Sequence, residues 1–188
     1  MFAAVATTAA LFLCHTLWIP AKAQLAQFLL ESAWRRTLAG QVQARPWPWA
    51  DTHPVAELEV PALGVRRLVL AGASGRNLAF GPTALTPIDG NDLVISGHRD
   101  THFGFLQWLT GGEVLRLRTR AGMREYRVAW REVVDSRQRQ LVLDASRERL
   151  TLITCFPFDA PFGGGPLRLV VTAPQHFNGG AWVPPRNG

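Results

Sequence analysis

The sequence predicts a mainly β domain of short strands, entered through an N-terminal apolar segment and one helix. Three observations carry this. Short apolar runs alternate with turn signals from residue 56 to residue 173. Seventeen Gly and 13 Pro are spread along the 188 residues, a density that excludes a helical bundle. A charge-free stretch, residues 1–19, stands at the start. A mean hydropathy of +0.04, with 47% hydrophobic and 18% charged residues, excludes a multi-span membrane protein. The length suits one domain of about 100–150 residues with additions. Two Cys cannot staple a disulfide scaffold, and no C-x-x-C pair is present to hold zinc.

The formal charge is +6, and 19 of the 20 basic residues are Arg. They are scattered among acids: Arg116, Arg118, Arg120, Arg124, Arg127 and Arg131 are interrupted by Glu113, Glu125 and Glu132. Arg116, Arg118 and Arg120 alternate with Leu115, Leu117 and Thr119, the period of a strand with one solvated face. No nucleic-acid partner is expected from such a pattern.

Residues 1–19 have the length of a bilayer core at 1.5 Å per residue, with Trp18 as an interfacial anchor and Pro20 as a helix end. A cleaved signal peptide is the competing reading, because Ala21-Lys22-Ala23 has the A-x-A form. The stretch is longer than an ordinary signal core and lacks a basic start, so residues 1–20 are read as a single-pass transmembrane anchor in contact with membrane lipid. Residues 21–40 follow as an amphipathic helix. Ala23, Ala26, Leu30, Trp34 and Leu38 form its stripe, Glu31 and Arg35 an i,i+4 pair, and Gly40 the stop. A Pro/Trp connector, 41–55, contains Arg45-Pro-Trp-Pro-Trp49, held extended by its prolines.

The body, 56–175, is expected to be a barrel or sandwich with strands near 56–60, 65–70, 92–96, 113–119, 124–134, 149–154 and 167–172. Helical turns are expected within 101–109 and 144–148, and 176–188 is read as a Pro/Gly/Asn-rich tail.

Three strand ends carry chemistry. Cys155 closes the apolar run 150–155, and an unpaired thiol kept outside the cytoplasm is a candidate nucleophile. His98 follows Gly97 where a strand ends, and supplies a proton donor or acceptor. Arg168 begins another apolar strand and offers planar donors to a developing oxyanion.

Thr151-Leu152-Ile153-Thr154-Cys155 resembles the T-L-x-T-C signature of the sortases, with Gly97-His98 and Arg168 in that family's order. The run from Ser96 to Phe103 and the layout of apolar segment, Trp-Pro-Trp and barrel are most similar to sortases of Gram-negative bacteria, although Ser96 stands where related sequences often have Ala. The resemblance spans about residues 15–173. It implies a closed β-barrel of about eight strands and a cofactor-free cysteine transpeptidase. Its substrate would be a secreted protein with a C-terminal sorting signal, and its acceptor a cell-wall or surface amine. The catalytic domain would face the periplasm from the inner membrane. The resemblance gives Cys155 the role of nucleophile, His98 that of acid and base, and Arg168 that of oxyanion and backbone ligand.

Thr154, Phe156 and Phe158 are candidate substrate contacts, and Asp100 and His102 candidate partners that fix the loop or orient His98. Phe162 and Gly163-Gly164-Gly165 suggest a groove edge and a turn or flexible loop beside the site. Three other functions compete: a metal site on His98, Asp100 and His102, a cysteine peptidase or hydrolase of the same fold, and a non-catalytic membrane-anchored module. The first is disfavoured by the lack of a companion ligand near His53 or His176.

Overall fold

The computed structural model describes residues 2–160 and 164–175, with side chains from residue 18 onward except that of residue 19. One helix, α1 (Phe2–Leu38), precedes a single nine-stranded sheet: β1 (Pro54–Val60), β2 (Val65–Ala71), β3 (Thr83–Ala84), β4 (Asp92–Ser96), β5 (Val114–Thr119), β6 (Gly122–Arg127), β7 (Trp130–Asp135), β8 (Arg149–Cys155) and β9 (Leu167–Pro174). A short helix, α2 (Gly75–Leu78), lies between β2 and β3, and one-turn 3₁₀ segments occur at Pro61–Leu63 and Gly104–Gln107. The strand order is β6-β5-β1-β2-β3-β4-β8-β9-β7. The sheet curls around one apolar core that includes Leu58, Leu93, Ile95, Phe103, Leu117 and Leu152, all fully buried.

The barrel is curled rather than closed by a continuous ladder. Its edges are β6 and β7, and an isolated bridge between Tyr126 and Gln175 brings the β6 edge against the end of β9. The strand count is nine where seven were read from the sequence and the resemblance implied about eight; two causes separate seven from nine. The two-residue β3 is too short to leave a periodic signal. The predicted strand 124–134 is two strands, because the chain changes edges at Val128-Ala129. The Val128 amide still bonds Glu113 next to β5, whereas the Ala129 amide bonds Thr172 in β9. Of the predicted helical turns, one appears at Gly104–Gln107 and 144–148 forms only a turn.

Helix α1 runs through Pro20 without interruption, correcting the expected helix end there. A proline within a helix removes one amide donor but leaves the rest of the ladder in place. Gly40 does end it, at φ 103°, in a Schellman arrangement: Gln41 N–H bonds Arg36 and Gly40 N–H bonds Thr37. The buried stripe is Ala26, Leu30, Ala33, Trp34 and Thr37; Ala23, expected there, is exposed because the barrel ends before it. Among the described residues no helix is long and apolar enough to cross a membrane.

Glu31 pairs with Arg66 of β2 at 2.8 Å, not with Arg35. Buried Glu57 of β1 accepts from Trp34 Nε1 at 2.7 Å and from Arg66 Nε at 2.5 Å. Burial pushes the Glu57 carboxyl up, but the hydrogen bonds from Arg66 and Trp34 outweigh it and hold the group below its ordinary range. Trp47 of the connector meets Phe80 edge-on at 5.2 Å, while Trp49 stands in solvent. On β5 the alternation holds, with Arg116 and Arg118 outside and Leu115, Leu117 and Thr119 inside.

Candidate active site

Strand β8 lies between β4, to which it is parallel, and β9, to which it is antiparallel. Leu150 and Leu152 point into the core, as do Leu169 and Val171 of β9. Strand alternation therefore sets Ile153 and Cys155 of β8, with Arg168 and Val170 of β9, on the other face. Cys155 and Arg168 are direct cross-strand partners. The flanking bond from Phe156 N–H to the Leu167 carbonyl, 3.0 Å, makes theirs a non-hydrogen-bonded pair. Side chains approach most closely in such pairs, with Cβ atoms about 4.5–5.5 Å apart.

The histidine arrives from the other side. Ser96 of β4 is level with Ile153, and the Gly97 amide extends the ladder by bonding the Ile153 carbonyl at 3.1 Å. The ladder with β8 ends there, and His98 lies two residues beyond Ser96, where the chain turns. Cys155 and Arg168 are thus neighbours across β8 and β9, and His98 follows the end of β4, the strand on the other side of β8. The thiol is free and half-buried, and His98 is exposed. The Arg168 Nη1 donates to the carbonyls of Gly165 at 2.5 Å and Leu167 at 2.8 Å, which ties its guanidinium to the turn leading into β9.

Gly97 is where this turn meets the core. A Cβ there would lie 2.8 Å from the Phe103 ring, so only glycine permits the close approach. The chain then turns tightly, with both His102 and Phe103 amides bonding the His98 carbonyl. Thr154, a candidate substrate contact, is buried and donates its hydroxyl to the Gly97 carbonyl at 2.7 Å, bracing β8 against the histidine turn. Phe156 and Phe158 are half-buried, meet edge-on at 6.3 Å and pack against the core just past the nucleophile.

The candidate loop partners follow His98 in the same turn, where the His102 amide bonds the His98 carbonyl. Asp100 is exposed and its carboxylate faces Arg99 Nε at 3.0 Å. The His102 ring bonds the Ala79 backbone, and its Nε2 is buried without a partner. Burial is the main force holding its pKa below the ordinary value, the Ala79 bond opposes it, and the charges of Arg67 and His98 add to it. Among the described residues no group of three or more His, Cys, Asp or Glu side chains converges on one point, so His98, Asp100 and His102 do not assemble as ligands. Phe162 and Gly163 lie outside the described residues, and Gly164 takes a φ of 100° beside exposed Gly165.

Sequence reasoning missed Arg99. Its guanidinium is buried and donates to the carbonyls of Pro157 at 2.5 Å and Ala160 at 2.7 Å. An Arg next to a candidate catalytic His was the available signal, but its burial depends on the fold of a distant loop.

The sortase domain model matches residues 58–176. Sortase D of Bacillus subtilis (strain 168) is 29% identical over 119 residues, which cover 61% of this chain and 60% of that protein. The match therefore spans less than two thirds of that relative's own length. Among solved structures, sortase C-1 from Actinomyces oris is 27% identical with a TM-score of 0.54, covering 65% of this chain and 72% of its own. A Clostridium perfringens sortase D5 transpeptidase is 17% identical with a TM-score of 0.61, covering 82% and 99%, a likeness of fold. The matched region takes in more than half of the chain together with His98, Cys155 and Arg168, and the chain belongs to the sortase family.

Proposed function

We propose that this chain is a cysteine transpeptidase acting on a C-terminal sorting signal of a secreted protein. The observation that carries the reading is the free Cys155 thiol paired directly across strands with Arg168, beside the strand end that leads into His98. The Cys155 thiolate attacks the scissile carbonyl carbon, and a C–S bond forms. Arg168 donates to the carbonyl oxygen as it becomes an oxyanion. The C–N bond then breaks, and the imidazolium of His98 gives its proton to the leaving amine. A cell-wall or surface amine attacks the resulting thioester, His98 takes its proton, and the thiolate leaves. Each group acts on an atom of one substrate, which is the value of having all three at one site. Phe156 and Phe158 supply an apolar wall on the carboxyl side of the nucleophile. The brace made by Thr154 favours a supporting role for that residue.

In the same proposal residues 1–19 anchor the chain in the inner membrane with the barrel in the periplasm. Support comes from the charge-free sequence of that stretch.

The test is a panel of peptides bearing candidate sorting motifs, incubated with the protein and hydroxylamine. The expected result is a thioester on Cys155 by intact mass and product partitioning to the hydroxamate, both lost in Cys155→Ala. Hydrolysis unaffected by added amine would instead assign a peptidase, and a thiol that no peptide acylates would remove the enzymatic reading.

A further inference from the structure

We propose that Arg99 is a positioning residue for the transfer reaction, a guanidinium staple that fixes the turn bearing the base against the turn bearing the nucleophile. This rests on the transpeptidase reading above. Arg99 follows His98 directly, while its two carbonyl acceptors, Pro157 and Ala160, lie two and five residues beyond Cys155. A third donor, Nε, meets the Asp100 carboxylate, so three edges of the guanidinium are engaged in known directions. The side chain is 5% exposed.

Removing a guanidinium from water is costly unless its donors are matched, so a buried arginine is an expensive way to fill space. What its fork provides is direction: two rigid, divergent N–H donors set the spacing and angle of the two carbonyls they meet. Those carbonyls belong to the loop that carries Phe156 and Phe158 away from the thiol. The other tie between the two turns, Thr154 to Gly97, lies before the nucleophile. Arg99 ties the chain after it. Cys155 is thus held from both sides relative to His98, and loss of the second tie lets the nucleophile's loop drift while the strand stays in register. Arg99 touches neither thiol nor substrate; it acts through the placement of groups that do.

The experiment compares Arg99→Met, which keeps bulk without donors, with Arg99→Lys, which keeps charge and reaches one carbonyl. Two readouts are taken at 25 °C on protein shown to be folded by circular dichroism. The first is kcat and KM for the peptide that acylates Cys155. The second is the pH dependence of Cys155 alkylation by iodoacetamide, which needs no substrate. In Arg99→Met we expect kcat to fall at least about 10-fold with a smaller change in KM, because near-attack geometry is lost before binding is. The alkylation midpoint is expected to move by about 0.3 pH units or more as the imidazole–thiol spacing changes, and Arg99→Lys to recover part of both. A folded Arg99→Met protein with kcat within twofold of the parent, or with an unmoved midpoint, overturns the proposal. If Arg99→Met does not fold, Arg99→Lys decides on the same criteria. If no peptide acylates the parent, the transpeptidase reading fails while the alkylation readout still decides the staple.

Discussion

The two ends of the described chain are held by different physics. Helix α1 is fastened to the barrel by side chains: Leu30 and Trp34 are buried against Leu68 and Leu70, and one carboxylate, Glu57, gathers donors from Trp34 and Arg66. The candidate catalytic residues are placed chiefly by backbone. Cys155 meets Arg168 through ladder register, and His98 directly follows the Gly97 amide that bonds the Ile153 carbonyl. A side-chain latch is lost by changing one residue, while a register is shared among all residues of three strands. Surface away from these residues should therefore tolerate substitution with little effect on chemistry, and the latch should tolerate chemistry mutants with little effect on stability.

The widest separation is expected from Cys155→Ala. Acyl transfer should fall to background while the thermal midpoint stays within about 2 °C of the parent, because a small half-buried side chain leaves only a small gap. A drop of 10 °C would show that the thiol position is part of the core. Next in size is Gly97→Ala, the one change that strikes register and core together. The added Cβ collides with Phe103, so a loss of about 1–3 kcal/mol in denaturant unfolding is expected, with a fall in kcat as His98 is pushed from its place. Equal activity in the folded fraction would show that the site adapts.

Glu57→Gln tests the latch. It leaves Trp34 a partner but removes the charge facing Arg66, whose side chain is 47% exposed, so a loss on the order of 1 kcal/mol is expected at pH 7 with unchanged kcat. The sign with pH follows from the depressed carboxyl. Its stabilisation is complete above the ordinary value of 4.5 and is lost as pH falls through the lower folded value. Glu59, whose carboxyl is pushed up chiefly by its hydrogen bond with Glu57, works in the opposite sense: folding favours its protonated form, and that contribution is lost as pH rises through its folded value. Urea midpoints of parent and variant should therefore draw together as the pH falls from 7 through the folded value of Glu57. A gap that does not narrow on acidification would assign the effect to shape rather than charge. Smallest of all is Arg116→Ala. It removes an exposed pair with Glu125, and the urea midpoint is expected to stay at the parent's value.

Much of the site was legible before the fold. The apolar run ending in Cys155, the glycine before His98 and the lone Arg168 opening a strand are local patterns, and each marks a strand end by chemistry that neighbours in the chain supply. The alternation of Arg116 and Arg118 with Leu115 and Leu117 was equally plain, since period two survives in any context that buries one face. What escaped was long-range. Nothing around Val128-Ala129 signals a turn, yet the chain leaves β5 there for β9. Glu31 was matched with its helical neighbour, but its partner sits on β2, 35 residues away. Nothing in the chain around Arg99 signals that its guanidinium is buried.

Residue order alone determined which atoms are available for reaction and where β4, β8 and β9 begin, because those depend on side-chain identity and on short-range backbone preference. Only the tertiary structure decided that Cys155 and Arg168 face each other across two strands, that a threonine and an arginine tie the segments on either side of the thiol to the turn after β4, and that the helix latches onto β1 and β2 through Glu57 and Arg66. Parallel pairing of β4 with β8 joins segments more than 50 residues apart, and no local preference encodes the register of such a pair. It is selected when the whole apolar face is buried at once.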